Sequence, residues 1–242
     1  RFLNDAAAFA RQNVSVIVLA IVAVIFIAIL REVAEGEIMR LDTLAYQFFV
    51  VRLRSEWLTP IMEGFSSLAS PAVILEMAIV VAAFAPGSKP GRCVVLNLAC
   101  VLVLNQALKF IVQRPRPDGF RLVSEIGYSF PSGHSMLSMA FYGLLIWFIW
   151  RYETNKAMRR VWCATFAVII VMVGVSRIYL GVHYASDVIA GFCVSFVWLM
   201  FFTRIVALPA GLARIVSGTR FVFAPNPRPN DYIEATATAL VL

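Results

Sequence analysis

Six long apolar runs constrain the fold of this chain more than any other feature of its sequence. A helix needs roughly 20 apolar residues to cross the hydrocarbon core of a bilayer. With 61% hydrophobic and 14% charged residues, the chain is more apolar than soluble domains usually are. The sequence therefore predicts an all-α, polytopic membrane helix bundle with six transmembrane helices. The runs are Val14–Leu30, Pro71–Ala85, Val94–Val112, Ser135–Trp150, Val161–Val175 and Tyr184–Val206.

The segment between the first two runs, residues 31–70, is too long for a simple turn. Its stretch MRLDTLAYQFFVVRLRSEWLTP mixes apolar and charged groups, a pattern that suits a helix lying in the membrane interface. A lipid-facing loop without function fits the same pattern equally well. We predict an interfacial helix between the first two spans and keep that loop as the alternative.

The charges of the loops predict the orientation of the bundle. If the spans alternate, one side holds twelve of the 21 lysines and arginines with four acidic residues, and the other holds nine of each. The loop RYETNKAMRR on the first side is short and strongly basic, as cytoplasmic loops are. We therefore expect both termini in the cytoplasm. The net charge of +7 is attributed to topology and to anionic membrane lipids rather than to nucleic acid.

Three polar clusters interrupt the apolar sequence, and the alternation of six spans places all three on the outer side. Taken singly, each has a plain explanation, such as a lysine that reaches the lipid headgroups or a serine that caps a helix. Together they bring both histidines of the chain to one end of the bundle, where charged groups usually line a functional cavity. The clusters are KFIVQRPRP with Lys109 and Arg116, PSGH with Ser132, Gly133 and His134, and SRIYLGVHYASD with Arg177, His183 and Asp187.

The cations and helix-start groups of these clusters suit the binding of phosphate. Lys109, Arg116 and Arg177 offer three positive charges to a dianion, two of them as planar guanidiniums that grip oxygens in pairs. The amide of Gly133 at the start of a helix adds a donor and a dipole. The hydroxyl of Ser132 adds a second donor to the same anion.

The two histidines suit chemistry on that phosphate. His183 and Asp187 are four residues apart, so on a helical turn they share a face. The carboxylate can accept a hydrogen bond from one ring nitrogen and leave the other aimed at phosphorus, which makes His183 a candidate nucleophile. His134 remains as a general acid and base.

These segments match the signature of a known family without substitution. They resemble the type 2 phosphatidic acid phosphatase superfamily, whose motifs read K-x6-R-P, P-S-G-H and S-R-x5-H-x3-D. A second Arg-Pro pair at Arg114 leaves only four residues after Lys109, so Arg116 is the better assignment. The motifs consist of Lys109, Arg116 and Pro117; Pro131, Ser132, Gly133 and His134; and Ser176, Arg177, His183 and Asp187.

The resemblance implies a role for each residue. His183 is the nucleophile that forms a phosphohistidine, and Asp187 orients it. His134 protonates the leaving alkoxide and then activates water. Lys109, Arg116, Ser132, Gly133 and Arg177 bind the phosphoryl oxygens. The resemblance further implies a hydrolase without a metal or other cofactor, in the inner (cytoplasmic) membrane, with its active site on the extracytoplasmic face.

The sequence leaves the substrate and some alternatives open. An isoprenoid diphosphate, phosphatidylglycerophosphate, phosphatidate or a lipid A phosphate all fit a lipid phosphatase. Transfer of the phosphoryl group to another lipid could use the same site, and a transporter that binds phosphate without chemistry is a further alternative. We treat residues 1–242 as a single membrane domain with a motif core at 109–187 and a C-terminal extension at 207–242 of unassigned role.

Overall fold

The predicted helical architecture is confirmed by the computed structural model, which describes residues 13–36, 38–84, 88–118 and 121–206. No strand occurs in these ranges. The short helix Arg40–Ala45 continues into a π-helical segment, Tyr46–Arg52. The helices are α1 (Val14–Ala34), α2 (Arg40–Ala45), α3 (Thr59–Ser67), α4 (Pro71–Phe84), α5 (Ser88–Val112), α6 (Gly133–Tyr152), α7 (Lys156–Tyr179) and α8 (Ala185–Val206).

Five of these helices, α1, α5, α6, α7 and α8, are each long and apolar enough to cross a membrane. A sixth span exists only if α3 and α4 are counted together, because they pass the same criterion as a pair that is bent by 51°. Helix α4 alone has 14 residues, which is too short to cross the hydrocarbon core. The prediction of a continuous second span at Pro71–Ala85 is therefore replaced by a broken one, and Ala85 itself lies outside the described residues.

The helix ends extend beyond the predicted apolar runs because capping residues, rather than hydropathy, set them. Helix α7 begins at Lys156, five residues before the predicted start at Val161, because Asn155 caps it: its Oδ1 accepts from the backbone N–H of Ala157 at 2.9 Å. Ser132 caps α6 in the same way and places Gly133 as the first helical residue. Two polar residues at the helix ends thus fix where the chain turns at each side of the bundle.

The helices α6, α7 and α8 bring the later motifs together. Helix α7 packs against α6 and α3, and α5 packs against α4 and α6. At Gly191 the helix α8 comes so close to α6 that an added Cβ would lie 2.9 Å from the carbonyl oxygen of Ser132. Any larger residue there would push the backbone of the PSGH turn away from α8.

The segment after α1 does form a short helix, as predicted, and it packs on the bundle. Ala45 and Phe49 contact an apolar cluster of Ile178, Ala185 and Val188. Its Asp42 is only 2% exposed. The alternative of a loop that merely faces lipid is therefore wrong, whereas its depth in the membrane stays a prediction.

The chain divides into two compact units, Arg1–Leu199 and Met200–Leu242. All of the predicted site residues belong to the first unit. The extension at residues 207–242 lies outside the described part of the chain. The single membrane domain of residues 1–242 stays a prediction.

Candidate active site

The predicted site residues lie at helix ends that meet on one side of the bundle. Lys109 lies in the last turn of α5 and Arg177 in the last turn of α7, whereas Gly133 and Asp187 lie in the first turns of α6 and α8. After α7 the chain turns through Gly181 with φ +74°, a left-handed conformation that suits glycine. This turn carries the chain directly to His183.

His183 is held through one ring nitrogen. Its Nδ1 lies 3.5 Å from Oδ2 of Asp187 and 3.3 Å from Oγ of Ser129. Ser129 in turn donates to the same carboxylate oxygen at 2.5 Å. On the other edge of the ring, Nε2 lies 3.3 Å from Nη1 of Arg116. Since guanidinium can only donate, we infer that Nε2 carries the lone pair and Nδ1 the proton.

Burial controls the ionisation of this imidazole. His183 is 4% exposed, and this burial lowers its pKa to about 4 although the neighbouring Asp187 favours the protonated form. At neutral pH the ring is therefore uncharged. A neutral imidazole with Nδ1 protonated toward a carboxylate presents Nε2 as a nucleophile.

Arg116 is fixed by carbonyl groups around the site. Its Nη1 donates to the carbonyl oxygen of Val182 at 3.0 Å, and its Nε donates to that of Gly127 at 3.0 Å. Lys109 is held in a similar way, because its Nζ donates to the carbonyl oxygen of Tyr128 at 2.9 Å. Backbone carbonyls of the loop before α6 thus position two of the three predicted phosphate-binding cations.

Glu125 joins the two guanidiniums of the site. Its carboxylate forms an ion pair with Nη2 of Arg177, and its Oε2 lies 3.6 Å from Nη2 of Arg116. Burial, the largest single influence, would raise the pKa of Glu125, but the combined attraction of Arg177, His134 and Arg116 outweighs it and lowers the pKa. Glu125 is therefore ionised at neutral pH. The sequence alone did not identify Glu125 as a site residue, since nothing local indicates which cation it meets.

Arg177 has a second partner that the sequence did not reveal. Its Nη1 donates to Oγ of Ser66 at 2.5 Å. Ser66 lies near the end of α3, just before the bend between α3 and α4. The broken span therefore supplies a site contact that a straight helix over Pro71–Ala85 would not predict.

The PSGH turn supplies the remaining predicted residues. Oγ of Ser132 accepts from the backbone N–H of Ser135 at 3.4 Å and from its hydroxyl at 3.0 Å, so its own hydrogen can be donated elsewhere. The backbone N–H of Ser132 donates to the carbonyl oxygen of Asp187 at 3.1 Å, which ties this turn to α8. An added Cβ at Gly133 would lie 3.3 Å from Oδ1 of Asn105.

His134 is half-buried at the start of α6 and faces the charged groups of the site. It interacts electrostatically with Arg177, Glu125, His183 and Arg116. It therefore lies close enough to these groups for their charges to act on it. All eight residues predicted for the site are brought together by the fold.

Arg114, the other arginine of the RPRP stretch, faces a different way. Its Nη1 donates to Oδ1 of Asp187 at 2.7 Å and to Oγ of Ser186 at 2.8 Å. Its Nη2 donates to Oδ2 of Asp42 at 3.0 Å. Arg116 is thus the arginine beside Nε2 of His183, whereas Arg114 contacts the far side of Asp187.

Asp42 completes this second group of contacts. Its Oδ1 accepts from the backbone N–H of Ser186 at 2.8 Å, and its Oδ2 accepts from the hydroxyl of Ser186 at 2.7 Å. The sequence counted Asp42 only as a loop charge. A buried acid in a segment of mixed polarity cannot be told from an exposed one by its pattern alone.

The chemistry of the site is cationic. In the part of the chain that the structure describes, no group of three or more His, Cys, Asp or Glu side chains is arranged to hold a metal ion. The four cysteines are free, and Cys93 and Cys193 are buried. An anion with several oxygens is the ligand that Lys109, Arg116 and Arg177 can hold.

The sequence and the fold are both similar to those of known proteins. The model of the PAP2 superfamily matches residues 90–210. Phosphatidylglycerophosphatase B of Bacillus subtilis (strain 168) is 34% identical over 157 residues, which cover 63% of this chain and 76% of that protein. A lipid A 1-phosphatase of Rhizobium johnstonii is 31% identical over 120 residues, which cover 46% of this chain and 45% of that protein.

Among solved structures, the fold is similar to the crystal structure of a transmembrane PAP2-type phosphatidylglycerolphosphate phosphatase from Bacillus subtilis. The TM-score is 0.67 with 26% sequence identity, and the match covers 83% of this chain and 98% of the other. The matched family region contains every residue of the predicted motifs.

Proposed function

The chain belongs to the PAP2 superfamily, and on that premise we propose that it is a metal-independent lipid phosphatase that works through a phosphohistidine at His183. It is a multi-pass membrane protein and a phosphatase. One observation above all supports the proposed intermediate: Nδ1 of His183 faces Asp187 and Ser129, so Nε2 points toward the cations. The nucleophilic atom and the phosphate-binding groups then share one space.

In the proposed first step, Nε2 of His183 attacks phosphorus while the cations and the start of α6 hold the phosphoryl oxygens. Arg116 and Arg177 bind as planar forks and Lys109 as a point charge. The P–O bond to the lipid breaks, and His134 gives its proton to the leaving alkoxide. In the second step, His134 takes a proton from water, which attacks phosphorus and releases inorganic phosphate.

The names of the relatives suggest the substrate class. By their names, these two relatives are phosphatases of phosphatidylglycerophosphate and of lipid A at its 1-position. We propose a lipid phosphate monoester as the preferred substrate of this chain. Phosphatidylglycerophosphate, phosphatidate and lipid A phosphates are the monoesters to compare, with undecaprenyl diphosphate as the diphosphate.

A phosphate-release panel over these four lipids tests the proposal. Purified wild-type protein and the His183→Ala variant should be compared in mixed micelles, each with and without EDTA. We expect release from at least one lipid by the wild type only, unchanged by EDTA. Complete loss on chelation, restored by magnesium, would contradict the metal-independent site. Consumption of substrate without inorganic phosphate would instead indicate transfer to another lipid.

We also propose that the protein lies in the cytoplasmic membrane with both termini inside and the site outside. Thr154 and Ser124 are exposed residues of two loops on opposite sides in this arrangement. Single cysteines at these positions, in a background without the four native cysteines, should be labelled in intact cells at Ser124 only. Thr154 is preferred to Asn155 because Asn155 caps α7. Labelling at Thr154 alone would reverse the orientation.

A further inference from the structure

A buried chain of charges lies behind the His183–Asp187 pair. Arg114 bridges Asp187, at 2.7 Å, and Asp42, at 3.0 Å. The Arg114 side chain is 7% exposed and both carboxylates are fully buried. The guanidinium also lies 4.0 Å from the centre of the Tyr184 ring. Such a network is costly to break, because removal of one member leaves a buried charge without its counter-ion.

The balance of charge in this network changes during the proposed reaction. Two carboxylates and one guanidinium leave one negative charge in excess while His183 is neutral. When Nε2 forms its bond to phosphorus, the P–O bond to the lipid breaks and its electron pair leaves with the alkoxide, which takes the proton of His134. Nδ1 keeps its proton, so the imidazole ring becomes cationic. The four groups are then neutral as a set.

We propose that Arg114 and Asp42 are positioning residues that hold Asp187 as a carboxylate directed at His183. Together with Asp187 they carry one net negative charge, which balances the cationic ring of phosphorylated His183. This inference rests on the proposed function of His183. Arg114 alone would neutralise Asp187, whereas Asp42 restores the missing charge. Ser186 and Ser129 fix the two carboxylates by hydrogen bonds at 2.7 Å and 2.5 Å, so neither can turn away.

Other charged groups lie around His183 and its partners, and they come from several elements of the site. They stay the same in all the variants compared below, so differences in the titration of His183 between variants report Arg114 and Asp42. These groups are Arg116 and Glu125 from the loop before α6, Lys109 from α5, His134 from α6, Arg177 from α7 and Asp187 from α8.

The titration of His183 gives a readout that a purely structural role would not move. The chain has only two histidines, so imidazole NMR signals of protein without a polyhistidine tag can be assigned with a His134→Gln variant. A unit charge two side chains away, at an effective dielectric of about 20, changes a pKa by roughly one unit. Arg114→Gln should therefore raise the pKa of His183 by that amount.

The double variant Asp42→Asn/Arg114→Gln separates charge from structure. It has the same net charge as the wild type, so the pKa of His183 should return toward the wild-type value. Asp42→Asn alone should not raise it. If Arg114→Gln does not fold, the step from Asp42→Asn to the double variant measures the same removal of Arg114 and should again be upward. Arg40→Gln and Glu56→Gln remove exposed charges nearby and serve as controls.

Activity completes the test, with kcat/KM measured against pH on dioctanoyl phosphatidate in mixed micelles. The acid limb of the kcat/KM profile of Arg114→Gln should shift to higher pH together with the pKa of His183, because the attack needs neutral His183. Arg114→Lys keeps the charge but not both contacts, so kcat should fall about tenfold with the limb unmoved. Equal pKa values for His183 in the wild type, Arg114→Gln, Asp42→Asn and the double variant would overturn the inference. Full turnover in His183→Ala would overturn the proposed function instead, whatever the titrations show.

Discussion

Two clusters of charged residues flank His183, and they differ in how their charges are balanced. Behind Asp187, the single guanidinium of Arg114 is matched by two fully buried carboxylates. On the side of Nε2, Lys109, Arg116 and Arg177 meet one carboxylate, that of Glu125, whose side chain is 27% exposed. The compensated cluster is complete without a ligand. The uncompensated one, called the open cluster below, has an excess of positive charge that a phosphoryl dianion can balance.

The difference shows how to distinguish cations that bind the substrate from cations that support the catalytic residues in a buried charged site. Both clusters contain arginines from one short stretch, RPRP, and both touch the His183–Asp187 pair. Only the ratio of cations to acids, and the exposure of the acid, distinguishes them. Variants on the open side should therefore change catalysis and inhibitor binding, and the largest change should come from the residue between the two clusters.

His183→Ala should give the largest effect. Without the nucleophile there is no first step, so turnover should fall by at least about 10⁴-fold toward both lipid and aryl phosphates. Steady-state phosphate release with each substrate measures it. His183 would not be the attacking group if the aryl phosphate were still cleaved at the wild-type rate.

His134→Ala should be the next largest and should depend on the leaving group. General acid catalysis is worth about 10²–10⁴-fold, so this loss is expected on a lipid phosphate. A nitrophenolate leaves without a proton, so the first step on nitrophenyl phosphate should be less affected. Phosphohistidine should then accumulate and give a burst of nitrophenol in stopped-flow traces. A burst in His183→Ala, with none in His134→Ala, would exchange the two roles.

Arg177→Lys tests the open cluster with the charge held constant. Lysine cannot contact Ser66, Glu125 and a phosphoryl oxygen at once, so kcat/KM should drop at least about tenfold, or about 1.4 kcal/mol. Arg121→Lys is the matched control, because Arg121 is an exposed arginine in the loop before α6 that contacts the carbonyl oxygen of Pro117. Equal losses in both variants would mean that the fork of Arg177 is not used.

Glu125→Gln should have the smallest effect and the opposite sign. Removing the one acid of the open cluster increases its excess of positive charge, so orthovanadate should bind about fivefold more tightly. Asp118→Asn, which changes an exposed acid of the same loop, is the control. Inhibition constants at constant pH decide it. Weaker binding in Glu125→Gln would show that Glu125 organises the arginines rather than competing with the anion.

The helices and the three motifs could be predicted from sequence because their signals are local. Apolar runs define spans by length alone, and the i,i+4 spacing of His183 and Asp187 is enough to bring the two side chains together. Five of the six predicted spans are single helices in the structure, and Nδ1 of His183 lies 3.5 Å from Oδ2 of Asp187. His183 precedes the first residue of α8, Ala185, so this contact is not made along a continuous helical turn as predicted. The bend between α3 and α4 was missed because the apolar run at Pro71 reads as continuous.

The contacts that distinguish the two clusters could not be predicted, because they join residues far apart in the chain. Asp42 and Arg114 are separated by 72 positions, and Ser66 and Arg177 by 111. An acid in a loop has the same pattern whether it is exposed or paired inside the fold. Only the packing of α2 on α8 and the bend after α3 decide which cation each partner meets.

The loop before α6 holds Arg116 and Lys109 through the carbonyl groups of Ile126, Gly127 and Tyr128. Because every residue type has a backbone carbonyl group, most side chains of this loop are not needed to position the cations. Ile126, for instance, is 97% exposed. Mutations in such side chains can accumulate during evolution without loss of the reaction.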